Sequence, residues 1–207
     1  MDKIFEYRGI RGLVAAEVLK DDADGMEFGT PFAIAGVSEL GKETEASSEP
    51  HYYDNVPAVV IDSVGADTVS MALSAIPFNV LADITGQFYD ANLGMFVEGE
   101  RESKYFAIGY ITERTDGVEV FVWRLKGTFN IPSSTHATKD DGTDANGQEL
   151  VYTGINTQSK FTLTKGDKTY HKTVKAINIE QDINPQDEKT FFATVQTPAT
   201  VKKTSAA

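Results

Sequence analysis

The strongest hydrophobic pattern in the chain lies at residues 104–132, where two apolar segments flank Asp116-Gly117. Asp-Gly is favoured in two-residue type I′ hairpin turns, because both central residues of that turn need a positive φ. The predicted hairpin therefore pairs Arg114 with Glu119. Since directly opposed residues share a face, this register gives one apolar face, which we expect to lie in the core, and one mixed face. The expected core face consists of Phe106, Ile108, Tyr110, Phe121, Trp123 and Leu125.

Alternating apolar and polar residues predict further antiparallel strands on both sides of this hairpin. The clearest is at residues 67–75, where Val69, Met71 and Leu73 point one way and small polar residues point the other. Short turns connect two predicted strand pairs, one near each end of the chain. The predicted strands outside the central hairpin are residues 13–20, 29–37, 67–75, 149–164 and 168–180.

Two segments have the spacing of helices rather than strands. Pro77 at the first helical position and Gly86 just past the last one predict a helix over residues 77–86. Asn184 as N-cap and Pro185 at the first helical position predict a second, shorter helix. The apolar face of this second helix consists of Phe191, Phe192 and Val195.

Residues 38–57 have no hydrophobic periodicity. The segment is acidic, almost free of aliphatic residues, and contains the aromatic pair Tyr52-Tyr53. Aperiodic segments of about this length are usually functional or disordered, whereas aromatic residues favour contact surfaces. Two interpretations stay open: a solvated acidic loop, or a loop that becomes ordered against another subunit. The candidate contact residues are Glu43, Glu45, Glu49, His51, Tyr52 and Tyr53.

The chain as a whole predicts a mainly β protein, an antiparallel β-sandwich or barrel with one flanking helix and a short C-terminal helix. The predicted organisation is an N-terminal arm at residues 1–12, which Gly9 and Gly12 interrupt, a β domain at 13–182, and a helix and tail at 183–207. A chain of 207 residues that is 41% hydrophobic can form one such domain with a sizeable core. We expect no membrane association, because no apolar segment approaches the ~20 residues that a membrane helix requires.

The net charge of −12 argues against a protein that grips nucleic-acid phosphates. Residues 1–100 contain 18 Asp and Glu against 5 Lys and Arg, whereas residues 101–207 contain 13 against 14. This asymmetry has two interpretations. It has no function, or it lets unlike surfaces of neighbouring copies attract each other.

No combination of residues predicts catalysis, a metal site or a cofactor. The chain has no cysteine, which removes thiolate chemistry and fits assembly in a reducing cytoplasm. His51, His136 and His171 are not at ligand spacing. Residues 140–147 are acidic like a calcium loop, but the first Asp and the final Glu of that motif are missing. Nucleophile and phosphate-binding motifs are also absent from the sequence, so we expect a protein that is not an enzyme.

The order of the predicted elements resembles that of the major tail tube proteins of long-tailed, siphophage-type bacteriophages. The segments that carry the resemblance are YRGIRGLVAAEVLKDDADGMEFGTP at residues 7–31, KYFAIGYITERTDGVEVFVWRLKGTF at 104–129 and DEKTFFATVQTP at 187–198. The resemblance implies a β-sandwich with a flanking helix, six copies of which close into a ring. Stacked rings would form the hollow tail through which the genome passes.

The resemblance also implies the partners and the location of the protein. The partners are further copies of the chain and other tail proteins (tape measure, tail terminator and distal tail proteins), with non-specific passage of DNA. The chain would be assembled in the bacterial cytoplasm and would end up in the tail of the virion. An acidic channel wall would keep DNA phosphates in mid-channel. Residues of the mixed hairpin face are candidates for the channel or for a subunit interface: Glu113, Arg124 and Lys126.

A β-sandwich that binds carbohydrate or a cell surface is the alternative. It would use Trp123 and some of the several tyrosines as stacking platforms for sugars. The position of Trp123 on an apolar hairpin face favours a core role for this residue instead.

Overall fold

The computed structural model describes residues 4–53, 56–136, 138 and 146–203. Most of these residues form antiparallel β-strands, which confirms the mainly β fold class. The strands are β1 (Tyr7–Asp22), β2 (Gly25–Phe28), β3 (Phe32–Ala33), β4 (Val37–Tyr53), β5 (Val56–Leu73), β6 (Phe88–Asp90), β7 (Met95–Val97), β8 (Phe106–Arg114), β9 (Glu119–Phe129), β10 (Ser133–Ser134), β11 (Gln148–Gly154), β12 (Phe161–Lys165), β13 (Lys168–Lys172) and β14 (Ala176–Glu180). The helices are α1 (Phe78–Thr85) and α2 (Glu188–Ala193).

One large curled sheet organises the protein. Its main path runs β2-β1-β8-β9-β11-β5-β4, and β3, β10 and β14 pair at its sides. One edge of β9 is shared, because β14 pairs with its first half and β11 with its last three residues. Strands β1 and β4 approach each other without pairing, so the sheet curls but does not close. Two separate hairpins, β6–β7 and β12–β13, flank it.

The β8–β9 hairpin forms, but the predicted register is wrong by one residue. Glu113, rather than Arg114, lies opposite Glu119, so the loop has three residues instead of two. Gly117 has a φ of 87°, and its N–H donates to the carbonyl of Arg114, as in three-residue loops with a G1 bulge. The Asp116 carboxylate accepts two hydrogen bonds from the Arg114 guanidinium, which stabilises this longer loop.

This shift changes which side chains share a face, because side chains alternate along a strand. The expected core residues are all buried, but they lie on opposite sides of the sheet. The prediction of one core face and one mixed face is therefore wrong: both faces of the hairpin are core. The inner core contains Phe106, Ile108 and Tyr110, and the outer core contains Phe121, Trp123 and Leu125.

The inner core fills the concave side of the sheet and receives side chains from five of its long strands. Val69, Met71 and Leu73 of β5 are buried there, as predicted. Helix α1 covers part of it with Leu81 and Ile84. The outer core lies on the other side of β8 and β9, where α2 and β12 cover it.

The predicted N-terminal arm at residues 1–12 is wrong from Tyr7 onward. Tyr7 begins β1, which pairs with β8 as far as Glu17. Gly9 and Gly12 have φ values of 70° and 69° and lie where the register of this pairing shifts. They therefore mark β-bulges in a strand, a common use of glycine, rather than a break between an arm and a domain.

Both predicted helices exist, with corrected ends. Pro77 is the N-cap of α1 instead of its first residue, and Gly86 ends the helix in the left-handed conformation, as expected. The second helix begins three residues later than predicted. Its N-cap is Asp187, whose carboxylate accepts a hydrogen bond from the Thr190 N–H, rather than Asn184.

The long predicted strands near both ends of the chain are interrupted. The segment at 29–37 contains only the short strand β3 and the first residue of β4. The segments at 149–164 and 168–180 each form two strands instead of one, with β12–β13 as a hairpin across Gly166. Most of the calcium-like loop at 140–147 lies outside the described residues.

Candidate assembly surface

Of residues 38–57, predicted as a loop, those that the structure describes (38–53 and 56–57) form most of β4 and the start of β5. Beyond the pair Thr44–Asp67, these strands pair only with each other as far as Tyr53 and Val56. We call this segment the ribbon (residues 44–53 and 56–67). At roughly 3.3 Å per residue, the ribbon extends about 30 Å beyond the end of β11, where Gly154 pairs with Asp67. The loop prediction is wrong because a strand that is exposed on both faces needs no hydrophobic alternation.

The ribbon exposes apolar side chains that no other described part of the chain covers. Val60 and Val64 lie on one face and are 57% and 64% exposed. Ile61 lies on the other face and is 54% exposed. Tyr52, a candidate contact residue, is 63% exposed. Such a concentration of exposed apolar residues is typical of an interaction surface.

The ribbon is also acidic and has a free edge. Within the described residues, the outer edge of β4 forms no strand pairing. The predicted contact residues that the structure describes in full are exposed and form no ion pair with another described residue. The structure therefore brings these candidate contact residues, apart from Glu43, together on one projecting element, and Glu43 pairs with Thr68 next to its root. These exposed residues are Glu43, Glu45, Glu49, His51 and Tyr52.

Asp67 fixes the root of the ribbon to the body. Its carboxylate accepts hydrogen bonds from Arg124 Nη1 at 2.9 Å, Lys175 Nζ at 3.1 Å and Thr44 Oγ1 at 2.9 Å. The side chains of Asp67, Arg124 and Lys175 are 6%, 8% and 16% exposed. A single buried carboxylate thus connects β4, β5, β9 and the segment that leads into β14. Sequence reasoning missed Asp67, since nothing local distinguishes it from other acidic residues.

The surroundings of Asp67 keep it ionised. Burial alone would raise its pKa, but hydrogen bonds from Thr44 and Lys175 and the charges of Lys175 and Lys42 hold the pKa below its ordinary value. The Arg124 guanidinium also donates to the Tyr110 hydroxyl at 3.3 Å. Each charge in the cluster thus has an oppositely charged partner, as buried charges require, although Arg124 Nε has no hydrogen-bond partner among the described residues.

A second buried ion pair lies near the turn between β1 and β2. Lys126 Nζ lies 2.7 Å from Asp21 Oδ2, with side chains 7% and 2% exposed. Burial opposes ionisation of Asp21, but the bond from Lys126 and the N–H groups of Gln158 and Ser159 lower its pKa overall. This pair joins β9 and β1 to the loop between β11 and β12.

The predicted channel or subunit-face residues do not share one surface. Arg124 and Lys126 are buried inside the chain, so the prediction that they face a channel or a neighbouring subunit is wrong. The two cations are buried because both faces of β9 are covered by other parts of the chain, and each cation has a buried carboxylate partner. Glu113 lies at the surface, where it forms an ion pair with Arg8 at 2.6 Å.

Trp123 is not exposed at all and lies in the outer core against the C-terminal helix. Its indole ring packs against Phe192 at a centroid distance of 5.5 Å, and its Nε1–H donates to the Phe191 carbonyl. A buried indole offers no platform for a sugar ring. Trp123 is therefore a core residue.

A metal site and a ligand cavity are the other features that the described residues were expected to lack or could provide. Among the described residues, no group of three or more His, Asp and Glu side chains is placed to hold a metal ion. A cavity of about 810 Å³ lies between β1 and β4, which pair with other strands but not with each other. Its lining mixes Ile10, Leu40 and Val122 with charged residues that already have partners or face solvent. The cavity is the gap that remains because the curled sheet is not closed.

Neither helix in the described residues is long and apolar enough to cross a lipid bilayer. A comparison of the chain with protein-family models gives no match, and no curated protein is similar to it in sequence.

Proposed function

We propose that this protein is a structural subunit that assembles with copies of itself into a hollow tube of the bacteriophage tail type. Six copies form a ring, the rings stack, and DNA passes through an acidic channel. The observation that carries the proposal is the ribbon: a strand pair that extends about 30 Å from the sheet with exposed apolar faces and a free edge.

A ribbon of this kind is poorly suited to a monomer. An isolated two-stranded hairpin is at best marginally stable in water, and a long unpaired edge is a template for association. Contacts between identical copies remove both problems, because they bury the apolar faces and pair or cover the edge. The exposed valines and isoleucine of the ribbon then contribute to assembly instead of remaining in water.

The open seam of the sheet supports the same proposal. Strands β1 and β4 face each other across the cavity without pairing. Closing a curled sheet into a barrel removes its free edges, and one chain alone does not close this one. In an assembly, a strand of a neighbouring copy supplies the missing pairing.

The charge distribution suits a conduit for DNA. Exposed carboxylates lie along the ribbon, whereas the two cations once expected on the mixed hairpin face are buried and neutralised. A wall that presents these acids repels phosphates, and a wall with free Lys or Arg would retain them. The ribbon acids are Glu45, Glu49 and Asp62.

Removal of the ribbon tests the proposal. In the test variant, Asn-Gly replaces residues 45–66, so that Thr44 and Asp67 flank a two-residue hairpin turn and the Asp67 cluster is retained. We expect concentrated wild-type protein to form rings or tubes of uniform width in negative-stain electron micrographs. The variant should remain folded by circular dichroism and sediment as a monomer.

Two results would contradict the proposal. Wild-type protein that stays monomeric at high concentration, with and without other tail proteins, would remove its basis. Normal tubes from the folded variant would show that the ribbon is not the assembly element.

A further inference from the structure

A second concentration of exposed apolar side chains lies on the β6–β7 hairpin. Phe88 is 62% exposed, Met95 45% and Val97 41%. The pairs Phe88–Val97 and Asp90–Met95 place these three apolar residues on one face of the hairpin. Leu93 in the connecting turn is 71% exposed. We call these four residues the β6–β7 patch.

The patch is large enough to take part in a specific contact. At roughly 100 Å² of exposed surface for each large apolar side chain, the four residues expose about 400 Å², in the range of patches that mark interaction sites. The opposite face of the hairpin is already used, since Phe96 stacks on Phe78 at a centroid distance of 5.5 Å and packs against the inner core. The hairpin is therefore held in place with its outer apolar face uncovered.

The ribbon and the β6–β7 patch lie towards opposite ends of the part of β5 that pairs with β11. The chain enters the body from the ribbon at Asp67, pairs with β11 as far as Leu73, and then turns into α1, which contacts β6 and β7. A head-to-tail arrangement of identical copies thus brings the ribbon of one copy towards the patch of the next. Contacts between two different surfaces of the same chain are heterologous, and they propagate along a stack.

From this arrangement we infer that the β6–β7 patch is the surface on which the ribbon of a neighbouring copy docks. The inference rests on the proposed function and adds the receiving surface. The contact is mainly apolar: Val60 and Val64 share one ribbon face with Ala46 and Pro50, with the Ser48–Asp62 pair between them, and this face covers the patch. Burial of apolar area on both sides provides the driving force.

The charges near the two surfaces give this contact a distinctive dependence on salt. The ribbon is acidic, and Asp90, Glu98 and Glu100 lie in or beside the β6–β7 hairpin. Like charges repel, and salt screens that repulsion while it leaves apolar burial intact. Stacking should therefore increase between about 50 mM and about 500 mM salt.

The basic β12–β13 hairpin is the competing receiver. Lys165, Lys168 and Lys172 are exposed and form no ion pair with another described residue. An acidic ribbon on this hairpin would bind by charge attraction, and salt would weaken that contact. The sign of the salt effect thus distinguishes the two receivers, and a decrease in stacking would overturn the inference.

Disulfide trapping tests the contact directly, since the native chain has no cysteine. Val60→Cys and Val97→Cys proteins are mixed, assembled and oxidised, and crosslinked dimers are measured on non-reducing gels. A disulfide requires Cα atoms within about 7 Å, so we expect dimers from this mixture. Leu19→Cys, at a β1 residue with 62% exposure that belongs to neither surface, replaces Val97→Cys in the control and should give none.

Substitutions in the patch provide the second measurement. Phe88→Ser with Met95→Ser should reduce stacking at least roughly tenfold, as for the loss of buried interface anchors, while circular dichroism remains unchanged. Ile183→Ser, at an equally exposed apolar residue, is the matched control. Tubes of the cysteine variants that give no dimers between Val60→Cys and Val97→Cys, but do give them between Val60→Cys and Lys168→Cys, would overturn this inference and leave the proposed function standing. Wild-type protein that forms no assembly would overturn the proposed function itself.

Discussion

Replacement of Asp67 by Asn should destabilise the folded protein strongly. The substitution keeps the shape of the side chain but removes the charge that neutralises Arg124 and Lys175, which lie 2.9 and 3.1 Å away. Both cations are largely buried, and breaking a buried ion pair by removing one partner costs about 3–5 kcal/mol. For a chain of this length, the melting temperature should fall by roughly 6–20 °C.

The effect should depend on pH in a defined direction. The pKa of Asp67 in the folded protein is below its ordinary value, so its ionised form stabilises the fold. This contribution is fully present above the unfolded pKa of about 3.9 and is lost as the pH falls through the folded pKa. The stability difference between wild type and Asp67→Asn should therefore be constant near neutral pH and shrink below about pH 4.

Urea unfolding followed by the fluorescence of Trp123 measures this difference, because Trp123 is the single tryptophan and is fully buried. Asp62→Asn is the matched control. Asp62 is an exposed ribbon residue, and its substitution should change the free energy of unfolding by less than about 0.5 kcal/mol. A loss below about 1 kcal/mol for Asp67→Asn at neutral pH, or a difference that persists unchanged in acid, would refute the assigned role of the cluster.

Two further predictions concern the body of the protein. Trp123→Ala should lower the free energy of unfolding, followed by circular dichroism, by about 3–5 kcal/mol, the range for emptying a buried aromatic site. Tyr52→Ala on the ribbon should lower it by less than about 1 kcal/mol in the monomer. Similar losses for the two variants would contradict the burial of Trp123 in the outer core. Gly86→Ala should destabilise more than Gly94→Ala. Both glycines have positive φ, which costs other residues about 1–2 kcal/mol, but a Cβ on Gly86 alone would overlap the Glu102 carbonyl. Equal thermal shifts for the two variants would argue against this packing.

Elements with a one-sided environment could be predicted from the sequence. The alternation at Val69, Met71 and Leu73 follows from one buried face of β5, and the Pro and Gly that flank α1 follow from backbone conformation. These signals are local, so they can be recognised without knowledge of the rest of the fold. The fold class rests on such elements.

The register of β8–β9 could not be read from the turn dipeptide. Asp-Gly suits both a two-residue loop and a three-residue loop with a bulge, and the choice depends on the Arg114–Asp116 contact and on both flanking cores. The hydrophobic pattern does not distinguish the two registers. Both faces of the strand pair are buried, so either register places apolar residues on each face. The buried cations Arg124 and Lys126 were misplaced for the same reason: their partners, Asp67 and Asp21, are more than fifty residues away along the chain.

The ribbon shows why a segment with no pattern of its own can still be a strand. Its two faces are both exposed in a single chain, so no core selects alternate positions, and the remaining signal is the β-branched content of residues 59–64. Propensity of that kind is weak without packing, and an isolated strand pair gains little from its own hydrogen bonds. Under the proposed function, the environment that stabilises the ribbon comes from neighbouring copies. In that case, contacts in the assembled tube select the acidic and apolar residues of the ribbon. The sequence pattern of the ribbon is then explained only when the neighbouring copy is considered.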